Sequence, residues 1–217
     1  MAELEQAAAQ EILRQAQEAV RHRGVFRLVL AGGATPRGVY GLLRKAKADW
    51  NAWHIYFGDE RCLPPEHSER NSRMAAETWL NHVAIPRHQI HAIPAEQGAE
   101  PAAAAYTLTL SAVGEFDLVL LGLGDDGHTA SLFPGHTWGE ESGAPAAIAV
   151  HNAPKPPPDR VSLSAARLST SRAVIFLVSG EAKHQAVADW RSGRHIPASV
   201  ITPATGVDIF LGSALLN

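Results

Sequence analysis

Asp126-Gly127-His128 is the strongest chemical signal in the chain. It closes the segment Gly122-Leu-Gly-Asp-Asp-Gly127-His128, directly after the apolar run Phe116–Leu121. A carboxylate two residues from an imidazole can hold one tautomer, and Gly127 permits the bend between them. With an ordinary pKa of about 6.5, such a histidine suits general-base work near neutral pH. A capping or core histidine is the plainer alternative. The segment also satisfies G-x-G-x-x-G after a strand, but two aspartates would then face a pyrophosphate. Glu140 and Glu141, at roughly the distance of a ribose-binding acid, fall inside a Gly/Pro-rich loop, which weighs against a dinucleotide site. No second histidine stands at ligand spacing on a regular element, so zinc is disfavoured as well.

Two further motifs end strands. Ala31-Gly32-Gly33-Ala34-Thr35-Pro36 has glycines that let backbone N–H groups approach a ligand. A helix N-terminus follows, adding partial positive charge suited to phosphate. Thr35 reads as the N-cap and Pro36 as the first helical residue. The motif lacks the Gly-Lys-Ser/Thr ending of a Walker loop, and a βα turn that binds nothing remains open. Phe57-Gly58-Asp59-Glu60-Arg61 puts an acid and a fork-shaped cation at a second strand end. Asp59 could orient a partner and Arg61 bind an oxyanion; a solvated turn is the alternative. Arg160 and Lys183 each begin or precede an element. Together with the Gly32–Gly33 turn they could close on an anion. Cys62 beside Arg61 has no evident base and reads as a packing residue.

Elements must carry these motifs to one place. Leu4, Ala8, Ile12, Leu13, Ala16 and Val20 recur at helical spacing and predict an amphipathic helix ending near Gly24. Strands are expected at 26–31, 53–57, 91–93, 116–121, 147–151, 160–164, 173–178 and 207–211. Helices are expected at 37–47, 72–79, 99–113 and 181–190. This alternation implies βαβ units and a largely parallel sheet, whose ligands bind beyond the carboxyl ends of the strands.

Composition bounds the remainder. The 217 residues are 46% hydrophobic and 19% charged, which fits one globular domain. Nineteen basic against 22 acidic side chains give a net charge of −3, without the basic excess of a nucleic-acid or anionic-membrane binder. One cysteine precludes an internal disulfide and a thiolate metal cluster. The first twenty residues are polar and acidic, unlike a signal peptide, and no apolar run reaches the roughly 18 residues of a membrane span. A cytoplasmic setting is therefore expected. Of eleven histidines, only His128 stands in a motif.

LAGGATP, FGDERCLPPEH, LLGLGDDGHTASLFPG and RVSLSAARL…VIFLVSGEAKHQAV occur in the order and spacing of the 6-phosphogluconolactonase family, which the chain resembles from about residue 29 to about residue 190. The resemblance implies an open, mostly parallel Rossmann-like α/β sheet with helices on both faces, the fold shared with glucosamine-6-phosphate deaminase. It implies one lactonase domain over 1–217, hydrolysing 6-phospho-D-glucono-1,5-lactone in the oxidative pentose phosphate pathway. No cofactor, metal, nucleic acid or membrane is expected, and the chain would be a monomer or weak homo-oligomer. His128 resembles the family's general base, Asp126 its orienting acid and Arg61 its substrate-binding arginine. Gly32, Gly33, Thr35, Asp59, Arg160 and Lys183 fall where the family handles the sugar phosphate. Ala31 and Ala34 replace two serines common in the glycine turn, and Glu69-Arg70-Asn71 replaces a common Ser-Asn ending, with Arg70 a possible extra phosphate ligand. The deaminase relative continues its Asp-Gly-His toward Asn-Glu-Pro, where this chain has Ser131-Leu-Phe-Pro-Gly135. The missing glutamate favours lactone hydrolysis over deamination or isomerisation, and over a non-catalytic sugar-phosphate binding module the intact Asp126 and His128 argue for an enzyme.

Overall fold

A computed structural model describes residues 2–215. Helix α1 (Ala2–Arg23) buries Leu4, Ala8, Ile12 and Ala16, as their spacing predicts, while Leu13 and Val20 are only half-buried. Glu3 and Glu5 lie in its first turn and Arg21 to Arg23 in its last, matching the helix dipole. Strand β1 (Phe26–Leu30) follows, then α2 (Ala34–Leu43), β2 (Trp53–Phe57), β3 (Asp59–Arg61), α3 (Asn71–Thr78), β4 (Ile90–His91) and α4 (Ala99–Leu110). The second half contains β5 (Leu118–Gly122), β6 (Ala147–Val150), β7 (Arg160–Leu163), α5 (Ala165–Ser169), β8 (Val174–Val178), α6 (His184–Arg191) and β9 (Val207–Leu211).

Six strands form one sheet in the order β4-β2-β1-β5-β8-β9, with every pairing parallel. Renumbered within the sheet, this is 3-2-1-4-5-6, the doubly wound order. Chain direction across the sheet reverses between β1 and β5, which opens a crevice at their carboxyl ends. All of β8 and the first four residues of β5 are buried without alternation, so both faces of the sheet are covered. Trp53 of β2 and Trp79, both fully buried, pack edge-on at 5.8 Å.

A second sheet, β3-β7-β6, is antiparallel and was not expected. Residues 59–61 read as a charged turn because three polar residues carry no periodicity. Pairing makes them a strand, with Arg61 opposite Arg160 and Asp59 opposite Ser162. Gly58 joins the two sheets: its N–H donates to Leu30 O (2.9 Å) and its carbonyl accepts from Leu163 N (2.8 Å). A second correction concerns α2. Its N-cap is Gly33 at φ 106°, not Thr35, and the helix begins at Ala34. Pro36 therefore stands at the third helical position, where its missing N–H still leaves no bond unmade.

Candidate active site

At the β1/β5 crevice lies a cleft of about 200 Å³ lined by Gly32, Gly33, Asp59, Arg61, Asn71, His128, Arg160 and Lys183 together with the backbone of β5 and its following turn. Three elements thus converge as expected, the turns after β1, β2 and β5. The β3–β7 pairing brings in Arg160.

Asp126 holds His128 at two points. Its Nδ1 contacts the Asp126 carboxylate, and its backbone N–H donates to the same Oδ1 at 3.1 Å. Because a carboxylate accepts, Nδ1 carries the proton and Nε2 is left as the basic nitrogen. Burial, the larger influence, pushes the His128 pKa below its ordinary value; the bond and charge of Asp126 partly offset it. Burial alone would raise the Asp126 carboxyl, but the His128 bond and charge outweigh it and hold that group low. The arrangement favours a neutral imidazole oriented by an ionised acid. Gly124 makes room for it: a Cβ there would lie 2.0 Å from His128 Nδ1. Gly127 sits at φ +84° against Ile196, so the bend between Asp126 and His128 needs a glycine.

The cations enter from separate elements. Arg61 contributes from β3, with one guanidinium nitrogen donating to Glu69 O. Arg160 is 5% exposed, and its Nε and Nη2 donate to the carbonyls of Pro157, Lys155 and Pro156 at 2.8–3.1 Å. Nη1 makes none of these bonds, so only one edge of this side chain is left for a ligand. Burial lowers the Arg160 pKa, with Asp59 opposing. Lys183 ends the short turn Glu181–Lys183 before α6 and forms no ion pair among the described residues.

Thr35 is not brought to the cleft: it is buried, and its Oγ1 lies 2.7 Å from Ser179 Oγ, tying α2 to the end of β8. Arg70 is not available as a phosphate ligand. It is buried, pairs with Glu60 and Glu96, and donates to the carbonyls of Leu63 and Ile93. Burial pushes the Cys62 thiol up to about 11, away from thiolate chemistry. Asp125, Asp126 and His128 bring one potential metal ligand each within 4.8 Å of one another. Asp125 is ion-paired with Lys155 and Asp126 accepts from His128, so both carboxylates are already engaged.

Sequence reasoning assigned no role to Asn71, Glu60 or Ser131. Ser131 Oγ donates to Asp59 Oδ2 at 2.6 Å, and Asn71 Nδ2 donates to Asp59 Oδ1 at 3.0 Å. Glu60, fully buried, accepts from the backbone N–H groups of Arg61, Asn71 and Ser72 and so fastens β3 to α3. The sequence signals were position alone: Glu60 inside the Asp59–Arg61 motif, Asn71 at the end of the loop that follows it, and Ser131 three residues after His128.

The model of the glucosamine-6-phosphate isomerases/6-phosphogluconolactonase family matches residues 1–210. A 6-phosphogluconolactonase of Mycobacterium leprae is 37% identical over 214 residues, covering 92% of this chain and 85% of that protein. One from Nostoc is 38% identical over 186 residues, covering 82% and 76%. The crystal structure of a 6-phosphogluconolactonase from Thermotoga maritima superposes with a TM-score of 0.89 at 28% identity, covering 96% and 95%. With the doubly wound sheet, the crevice at its reversal point and these likenesses over nearly the whole length, the chain belongs to the glucosamine-6-phosphate isomerase/6-phosphogluconolactonase family.

Proposed function

We propose that the chain hydrolyses 6-phospho-D-glucono-1,5-lactone to 6-phosphogluconate, the lactone-opening step of the oxidative pentose phosphate pathway, with His128 as general base. The observation that carries the residue assignment is the Nδ1 contact to Asp126, which leaves Nε2 unprotonated on a cleft lined by three cations.

A lactone carbonyl is already electrophilic, so the reading requires no cofactor, metal or covalent nucleophile. His128 Nε2 takes a proton from water as the water oxygen bonds to C1. The carbonyl electrons move onto oxygen, where Arg61 stabilises the charge. The tetrahedral intermediate collapses, the bond between C1 and the ring oxygen breaks, and the imidazolium returns its proton to that oxygen. Gly32, Gly33, Lys183 and the free edge of Arg160 hold the phosphate; Asp59 offsets the charge of Arg160 and bears on the sugar through Asn71, whose amide it orients. Binding energy gathered at the phosphate thereby positions C1 against the water.

The substrate is a small sugar-phosphate lactone. Among the described residues no helix is long and apolar enough to cross a membrane. A single domain working in the cytoplasm as a monomer or weak homo-oligomer completes the reading; the lack of a basic excess at a net charge of −3 supports the exclusion of nucleic-acid and anionic-membrane partners. The test is an assay that generates the lactone in situ with glucose-6-phosphate dehydrogenase and follows its loss against the spontaneous rate. His128→Ala should lower turnover by about 10²–10⁴-fold while product binding is retained. Near-normal turnover would sink the assignment, and ammonia release from glucosamine 6-phosphate would redirect it to the deaminase branch.

A further inference from the structure

Asn71 occupies an unusual place between two of the site's motifs. It is the first residue of α3, 5% exposed, and lines the cleft. Its Nδ2 donates to both the backbone carbonyl and Oδ1 of Asp59, each at 3.0 Å. Two acceptors on one side fix the amide's orientation, because the NH2 must face them. Oδ1 is thereby turned to the other side, over the glycine turn: a Cβ on Gly32 would lie 2.0 Å from it. Among the described residues Oδ1 accepts no hydrogen bond, and it is not sealed from solvent. The backbone beneath is anchored by the buried Glu60 carboxylate, which accepts from Asn71 N at 2.7 Å.

A sugar lactone brings hydroxyl donors as well as a phosphate. Arg61, Arg160 and Lys183 can only donate. Both Asp59 oxygens already accept, from Asn71 and Ser131, and Thr129 Oγ1 is turned away to Gly122 O at 2.8 Å. His128 Nε2 is reserved for the water. Asn71 Oδ1 is the side-chain oxygen of the cleft lining that makes no hydrogen bond among the described residues.

We infer that Asn71 is a specificity-determining residue whose amide oxygen accepts a hydrogen bond from a ring hydroxyl of the substrate, its orientation dictated by Asp59. This rests on the sugar-phosphate lactone reading. It separates recognition of the sugar from recognition of the phosphate: the amide reads hydroxyls, whereas the cations and glycine turn read the anion.

The experiment is titration calorimetry of the full chain with two probes, 6-phosphogluconate and inorganic phosphate, beside lactone kinetics. Asn71→Ala should weaken 6-phosphogluconate binding about fivefold to tenfold, as loss of one hydrogen bond does, and raise KM alike with kcat within about twofold. Inorganic phosphate should bind as to the wild type. Unchanged 6-phosphogluconate binding, or equal loss of both ligands, overturns the inference. Asn71→Asp keeps an acceptor but sets one carboxylate against another, so one of the pair must take up a proton. Its affinity relative to wild type at the same pH should recover as pH falls from about 8 to about 5.5, because the introduced carboxyl, once protonated, donates to Asp59 as the amide does. A ratio independent of pH overturns the inference even if the alanine variant fails to fold. A wild-type chain that does not accelerate lactone loss defeats the hydrolase reading; a working wild type with an indifferent Asn71→Ala defeats only the role of Asn71.

Discussion

His128 can take a proton only while neutral, so turnover falls as pH drops through its pKa. Burial depresses that pKa from its ordinary value near 6.5, which keeps the imidazole neutral to lower pH and sets the acid limb of the rate profile below about 6.5. Asp126 works in two directions here. Its charge and hydrogen bond raise the His128 pKa, and its acceptance of Nδ1–H selects the productive tautomer. Asp126→Asn removes the first effect and weakens the second. The acid limb should therefore move to still lower pH while kcat on the plateau falls on the order of 10²-fold. A pH–rate profile checks both: an upward shift of the limb would mean that Asp126 is not the group holding the imidazole. The same logic of committed and uncommitted atoms sorts the cations. Arg160 has one edge left after binding three carbonyls, Arg70 has none, and Lys183 has its whole ammonium group.

At the scale of elements, the turn after β5 works because two of its glycines are absent side chains in the right places. Gly124 leaves the space that the imidazole fills, and its N–H donates to His128 O at 2.7 Å. Gly124→Ala would put a methyl group 2.0 Å from His128 Nδ1 and 2.5 Å from Asp126 Oδ1, so the pair must separate or the loop must move. The expected result is a loss of kcat on the order of 10²-fold with Tm changed by no more than about 4 °C, since Asp125 and Asp126 beside it are exposed and leave the turn room to shift outward. Kinetics and thermal melts on the same preparation decide it; wild-type kcat would mean the dyad tolerates displacement. Much of the scaffold around this turn was legible beforehand. Strands β1, β2, β5, β8 and β9 are apolar runs bounded by turn residues, and α1 follows a 3.6-residue period, so local pattern suffices. The His128, Asp126 and Arg61 motifs were legible because each stands directly after such a strand. Strand β3 was not, because Asp59-Glu60-Arg61 becomes a strand only through pairing with Arg160–Ser162 far along the chain. Thr35 was misplaced and Asn71 passed over for the same reason. Whether Thr35 faces a ligand depends on Ser179 of β8's end, and the orientation of Asn71 depends on Asp59 and Gly32. Neither dependence leaves a mark in nearby sequence.

For the molecule as a whole, a net charge of −3 sets a problem that the fold solves locally. The overall field repels an anionic substrate, so attraction must come from charges gathered at the sheet's reversal point. The gathering uses elements distant in sequence: β3 carries Arg61, β7 carries Arg160, and the turn before α6 carries Lys183. Of the three, Lys183 is the most mobile in chemical terms, a point charge on a flexible stem with no ion-pair partner among the described residues. Its contribution should therefore be mostly electrostatic and open to screening. The Debye length shrinks from about 10 Å at 0.1 M salt to about 3 Å at 1 M. For the wild-type chain, KM for the lactone should rise with added salt while kcat stays nearly constant. Lys183→Met should raise KM by about tenfold at low salt, leave kcat within about twofold, and flatten the salt dependence, because the charge that salt screens is gone. A change confined to kcat would contradict a phosphate role for Lys183. An undiminished salt slope in the variant would instead assign the screened attraction to the two arginines, whose guanidiniums are fixed by their neighbours and less exposed to ions.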